Sequence, residues 1–198
     1  MRNRRIVCFL MGSWIGVSLM LAVAAYRSFD AVDGVLKSPP EEAGQILKAL
    51  GPANARMLLR YTTGVETADT FEIWEYIQLA LGLIITVVMF LAPSTRALSA
   101  VPLLMALLVL FLQSKITPEL TWLGRSLAFT SHAIDSPPRN QFVRLHRIYG
   151  ILEAVKCLLG LGLTIVLVMQ RTSTKVVRRK HNHEAAAETG FNPHTASR

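Results

Sequence analysis

The chain has 198 residues, of which 52% are hydrophobic and only 17% charged, with a mean hydropathy of +0.38. A soluble domain would carry about 25% charged residues, and here the apolar residues fall in long runs, as in lipid-facing helices. The net charge of +8 comes from short basic clusters flanking those runs, a topology signal that excludes nucleic acid as the partner.

The first apolar run, 6–25, follows Met1-Arg2-Asn3-Arg4-Arg5. A secretory signal has the same layout, and Ala22-Val23-Ala24 resembles a cleavage site, but the run is long enough to cross a bilayer and reads as an uncleaved helix. Ser38-Pro39-Pro40-Glu41-Glu42 then places a cap, prolines and acids where a helix should begin, ending near Gly51. A second short helix, from Pro52, should end near Gly64. Asp69 and Glu72 have capping-box spacing, so the next helix should begin there and enter the membrane as the second span, 74–91.

The third span, 98–112, contains Pro102 and continues past the membrane. Thr117-Pro118-Glu119 should open a short interfacial helix carrying Trp122, Arg125 and Phe129, stopped by Pro137-Pro138. The fourth span covers 149–169. The expectation is therefore an all-α integral membrane four-helix bundle over residues 1–170, with short extramembrane helices in its two outer segments. Residues 171–198 read as a disordered basic cytoplasmic tail, with Lys175, Arg178, Arg179 and Lys180 attracted to anionic lipid.

Charge placement sets the direction. With the N-terminus inside, residues 1–5, the turn at Arg96 and the segment from Gln170 hold ten Lys/Arg and two acids, while the remainder holds eleven of each sign. Basic density at the helix ends thus favours both termini in the cytoplasm, although Arg139, Arg144 and Arg147 argue the other way. Short loops and the absence of N-x-Ser/Thr point to a bacterial cytoplasmic (inner) membrane.

Ionisable residues inside a span are costly and therefore mark a functional hypothesis. In the fourth helix His146, Tyr149, Glu153, Lys156 and Gly160 share one face, and in the second Glu72, Glu75, Gly82 and Thr86 do the same. Alternating chain direction brings Glu75, Gln78, Gln113, His146, Glu153 and Lys156 to one depth as a candidate polar cluster in the outer half. It could hold a cation, a proton or a polar head group, or it could serve assembly alone, with Lys156 paired to Glu153 or to Glu75. His146, with His132 as a second ligand, is the candidate for metal or haem iron. Gly12 with Gly16, and Gly150 with Ala154, are small-residue pairs for helix packing, within the chain or in a homo-oligomer. Cys8 and Cys157 lie within apolar runs and lack CxxC spacing, so neither a disulfide framework nor a thiol motif is expected.

Trp14-Ile15-Gly16, Ala43-Gly44, Ile116-Thr117-Pro118 and Phe142-Val143-Arg144-Leu145-His146 resemble the transmembrane protein 205-like family over about 14–162. That family comprises small four-helix membrane proteins carrying a domain of unknown function. The resemblance implies a four-helix bundle and singles out His146, without supplying a reaction. The layout is more distantly similar to copper-resistance D-type and haem-binding bundles, which place a histidine in the first helix; this chain has none there. The sequence thus suggests a non-enzymatic bundle, an accessory, assembly or transport-associated factor among membrane partners, with no cofactor expected. The alternatives are a copper- or haem-binding protein and a proton- or ion-coupled carrier.

Overall fold

The computed structural model describes residues 2–128 and 136–188, with side chains for 3–127 and 136–170. Helix α1 runs Arg2–Lys37, α2 Glu41–Leu50 and α3 Pro52–Phe90. A 3-10 turn at Arg96–Ser99 leads into α4, Ala100–Phe111. A π-helical segment at Leu112–Ile116 joins α4 without a break to α5, Thr117–Ala128, and α6 runs Pro137–Glu188. Among the described residues there is no strand. Four rods are long and apolar enough to cross a membrane, Asn3–Lys37, Pro52–Phe90, Arg96–Leu127 and Pro137–Gln170, which makes this a multi-pass membrane helix bundle.

Prolines sit where their missing N–H costs nothing. Pro52 starts α3, Pro102 lies in the first turn of α4, and Pro137 and Pro138 open α6 instead of terminating α5. Gly51, at φ 77, makes the reversal between α2 and α3 that a residue with a Cβ would resist. Pro118 is the exception, since it lies inside a continuous rod. Its ring cannot donate to the carbonyl of Ser114, and the helix widens to π spacing over the five residues just before α5.

The rods form a closed ring in chain order: α1 packs on α3, α3 on α4, α4 on α6 and α6 back on α1. At the end carrying Arg96 the core is apolar, with Val7, Met11 and Trp14 from α1, Ile85 and Met89 from α3, Met105 and Val109 from α4, and Leu163 and Leu167 from α6. Glycine is needed where the helices pack tightly: at Gly82 a Cβ would lie 2.9 Å from that of Ala106, and at Gly160 it would meet the Met11 methyl at 2.6 Å. Outside the ring Phe9, Leu158 and Met169 are more than half exposed, as lipid-facing residues must be.

Several expectations change. No helix ends at Gly64 and none begins at Asp69; α3 runs through both, because one glycine costs only about 1 kcal/mol in a helix. Asp69 forms an ion pair with Arg125 at 3.6 Å. The segment after Thr117 continues the third rod and packs on α3 and α6 instead of forming a separate helix. The backbone of 171–188 extends α6 where an irregular tail was expected, since no Gly or Pro interrupts it before Gly190.

Of the two roles open to the small-residue pairs, packing within the chain is not seen among the described residues. A Cβ on Gly12, Gly16 or Gly150 would meet nothing within 4 Å, and all three, like Ala154, are exposed. The buried stripe of α1 is Val7, Met11, Trp14 and Ser18, about 100° around the helix from Gly12. Those glycines therefore make no helix contact within the described residues and face lipid or a second copy.

Candidate functional site

At one level the apolar core gives way to a polar layer contributed by all four rods. Lys156 on α6 is fully buried, and its ammonium donates to Gln78 Oε1 and Glu153 Oε1, each at 2.6 Å. Gln78, on α3 and fully buried, donates in turn to Ser18 Oγ of α1 at 3.3 Å, and Trp74 Nε1 donates to the same oxygen at 3.1 Å. Glu75, fully buried, accepts from Thr117 Oγ1 at 2.7 Å. The bond between Gln78 and Lys156 crosses the ring between α3 and α6, which stand at opposite corners.

The sequence-derived cluster is thus assembled in part. Glu75, Gln78, Glu153 and Lys156 come together, and Lys156 pairs with Glu153 instead of Glu75. Gln113 lies in the π segment, and its buried Nε2 has no hydrogen-bond partner among the described residues. His146 stands outside the layer, exposed and stacked on Phe142 with ring centroids 6.0 Å apart. His132 lies outside the described residues. Among those described, no three His, Cys, Asp or Glu side chains converge as a ligand set.

Sequence reasoning missed Ser18, Trp74 and Thr117. The available signal was positional: Ser18 is the single hydroxyl on the Val7–Met11–Trp14 stripe, and Thr117 is one residue from the proline that distorts its rod. The charge balance is the second feature. Two carboxyls face one ammonium, so with all three ionised the layer carries one uncompensated negative charge. Glu75 Oε2 is left to the neighbouring hydroxyl of Tyr149, which interacts with it without the geometry of a full hydrogen bond. A proton or a cation at this point restores neutrality in a region where an unpaired charge costs several kcal/mol.

A cleft of about 1120 Å3 rises directly over this layer. Thr117 and Tyr149 belong to both, since they line the cleft from above and adjoin Glu75 from below. The Phe71 and Tyr149 rings meet edge to face at 6.1 Å across its base. Its walls come from α1, α3, α5 and α6, and the α3 contribution repeats every three or four residues from Ala53 to Phe71. Near the rim Asp33 of α1 holds Arg56 at 3.4 Å and Arg60 at 3.1 Å, tying α1 to α3.

Helix rise places both features against a bilayer. Glu75 lies fifteen residues before Phe90 and Lys156 fourteen before Gln170, so the layer is about 21–23 Å from the Arg96 end. A hydrocarbon slab of about 30 Å starting at that end encloses the layer in its farther part and ends near the base of the cleft. No protein-family model, no curated protein and no solved structure matches this chain.

Proposed function

We propose that this protein is a non-enzymatic, transport-associated bundle that holds a ligand in its cleft and couples its occupancy to a proton or cation in the polar layer. The observation that carries this reading is shared membership: Thr117 and Tyr149 form the floor of the cleft and are also the two hydroxyls that meet the Glu75 carboxyl. A ligand that displaces either residue changes the surroundings of a carboxyl in a set with one negative charge too many. In this reading the chain sits in a bacterial cytoplasmic membrane with both termini inside, the cleft opens on the outer face, and the basic residues after Gln170 lie against anionic lipid.

A metal- or haem-centred role for His146 has less support, because its described neighbours are an aromatic ring and an open cleft. The test is proton entry into proteoliposomes loaded with a pH-sensitive dye and given an external acid step. Wild type should acidify the lumen faster than empty vesicles, and Glu75→Gln should lower that excess at least tenfold. Equal rates for wild type, Glu75→Gln and empty vesicles would remove proton coupling from the reading.

A further inference from the structure

The shape and lining of the cleft restrict what can occupy it. Its α3 wall spans Ala53 to Phe71, eighteen residues or about 27 Å of helix, so the cavity is long and narrow. Its volume lies just above the roughly 300–1,000 Å3 usual for small-molecule sites. Along the middle and base the lining is apolar and aromatic, with Phe29, Phe71, Leu120, Phe142 and Val143. Above these stand Arg56, Arg60 and Arg139 against Asp30 and Asp33, while Arg125 lies lower and is paired with Asp69, so the charged lining of the upper part is net positive. Among the described residues Arg139 pairs with no carboxylate.

The cleft is also continuous with the bilayer. Ala22 and Ala25 line it and belong to the apolar run of α1, about 25–30 Å from Arg5 and hence at the level where the hydrocarbon ends. On the two helices that face each other across its mouth, Tyr26 of α1 is 76% exposed and Val143 of α6 is 49% exposed. Lower down α1 and α6 pack together, with Gly160 against Met11 and Ile15. A slot that is shut within the membrane and open at its surface, apolar along its length and basic above, matches a molecule with a hydrocarbon tail and an anionic head.

We infer that the cleft is a binding site for an anionic membrane lipid drawn from the adjoining leaflet. Its acyl chain lies along the α3 wall and its head group lies among Arg56, Arg60 and Arg139. This names the ligand of the function proposed above and rests on that reading of the cleft.

The test uses the full chain in nanodiscs containing trace phosphatidylglycerol or phosphatidylcholine with the same diazirine-bearing acyl chain, followed by photolysis and peptide mapping. Gly64 lines the cleft and a Cβ there would meet only open space, so Gly64→Trp enters the cleft freely at its first atom and puts its bulk where a ligand would lie. Phosphatidylglycerol should label Val65 and Phe71, on the lower α3 wall, at least tenfold more than phosphatidylcholine does, and Gly64→Trp should abolish that labelling. Leu158, 68% exposed on the lipid face, should be labelled equally by both lipids and in both proteins, which confirms that the variant is folded. Equal labelling of the cleft by the two lipids, or labelling that survives Gly64→Trp, overturns the inference. Either result leaves the proton-flux effect of Glu75→Gln standing or falling separately, so the lipid assignment and the coupled layer can fail independently.

Discussion

Replacing Lys156 with methionine should destabilise the bundle strongly, and replacing Glu153 with leucine at the same time should restore most of the loss. Lys156 is fully buried, and its side chain makes two hydrogen bonds of 2.6 Å, to Gln78 and Glu153; the Glu153 side chain is 18% exposed. Methionine keeps the length of the stem but removes the ammonium, leaving two carboxyls, Glu75 and Glu153, with no cation in the layer. Breaking a buried pair in this way costs about 3–5 kcal/mol. Glu153→Leu alone leaves the ammonium bonded to Gln78 and within electrostatic reach of Glu75, so its cost is about 1–3 kcal/mol. The double variant loses one donor to Gln78 Oε1 and leaves Glu75 as the single carboxyl of the layer, whose net charge is that of the wild type, a cost of about 1–2 kcal/mol. The implied coupling is about 4 kcal/mol, far above the roughly 0.6 kcal/mol average for interhelical hydrogen bonds in a membrane bundle. Reversible unfolding by SDS titration in mixed micelles measures all four corners of the cycle. A coupling below about 1 kcal/mol would refute the reasoning, since it would mean that water already screens Lys156 from Glu153.

Gly82→Ala should cost about 1–3 kcal/mol by overpacking, because its Cβ would stand 2.9 Å from that of Ala106; adding Ala106→Gly should recover part of that loss in the same titration. Thr117→Val should cost about 1–3 kcal/mol by removing the donor to Glu75 Oε1, which leaves the buried carboxyl only its contact with Tyr149. Thr117→Ser should recover most of the stability, and a loss equal to that of valine would show that the methyl group matters more than the hydrogen bond.

The number of spans and the polar face of α6 were legible in the sequence, because charges inside a twenty-residue apolar run have no other place to point than the bundle interior. His146, Tyr149, Glu153, Lys156 and Gly160 do lie along one line, and Lys156 and Gly160 are buried. The depth of Glu75 and Gln78 came from chain direction alone. Rotation could not be read. The π segment inserts extra residues into the third rod, and each extra residue turns the remainder of the helix by about 100°. Thr117, one turn farther along the rod than Gln113, is the residue that reaches Glu75. Glycine spacing failed on α1 for a related reason: Gly12 and Gly16 define a face, but only the partner helices decide whether that face turns inward. The cleft was hidden because Gly64 and Asp69 read as punctuation. Once α3 is continuous, Arg56, Arg60, Gly64 and Phe71 become a single wall.

Assembly alone is a weak reason for a buried layer of this composition. The four rods already pack through Met11, Trp14, Ile85, Met105 and Leu167 nearer the Arg96 end, and apolar residues continued through the level of Lys156 would hold them at least as well. Instead the chain places two carboxyls, an ammonium and an amide there, and it does so at the depth where the cleft reaches the hydrocarbon. A structural pair would do its work anywhere along the bundle and would be balanced in charge. This layer is unbalanced and lies under an opening, joined to it by Thr117 and Tyr149. That coincidence of position and charge is the reason to assign it to the ligand and not to the fold.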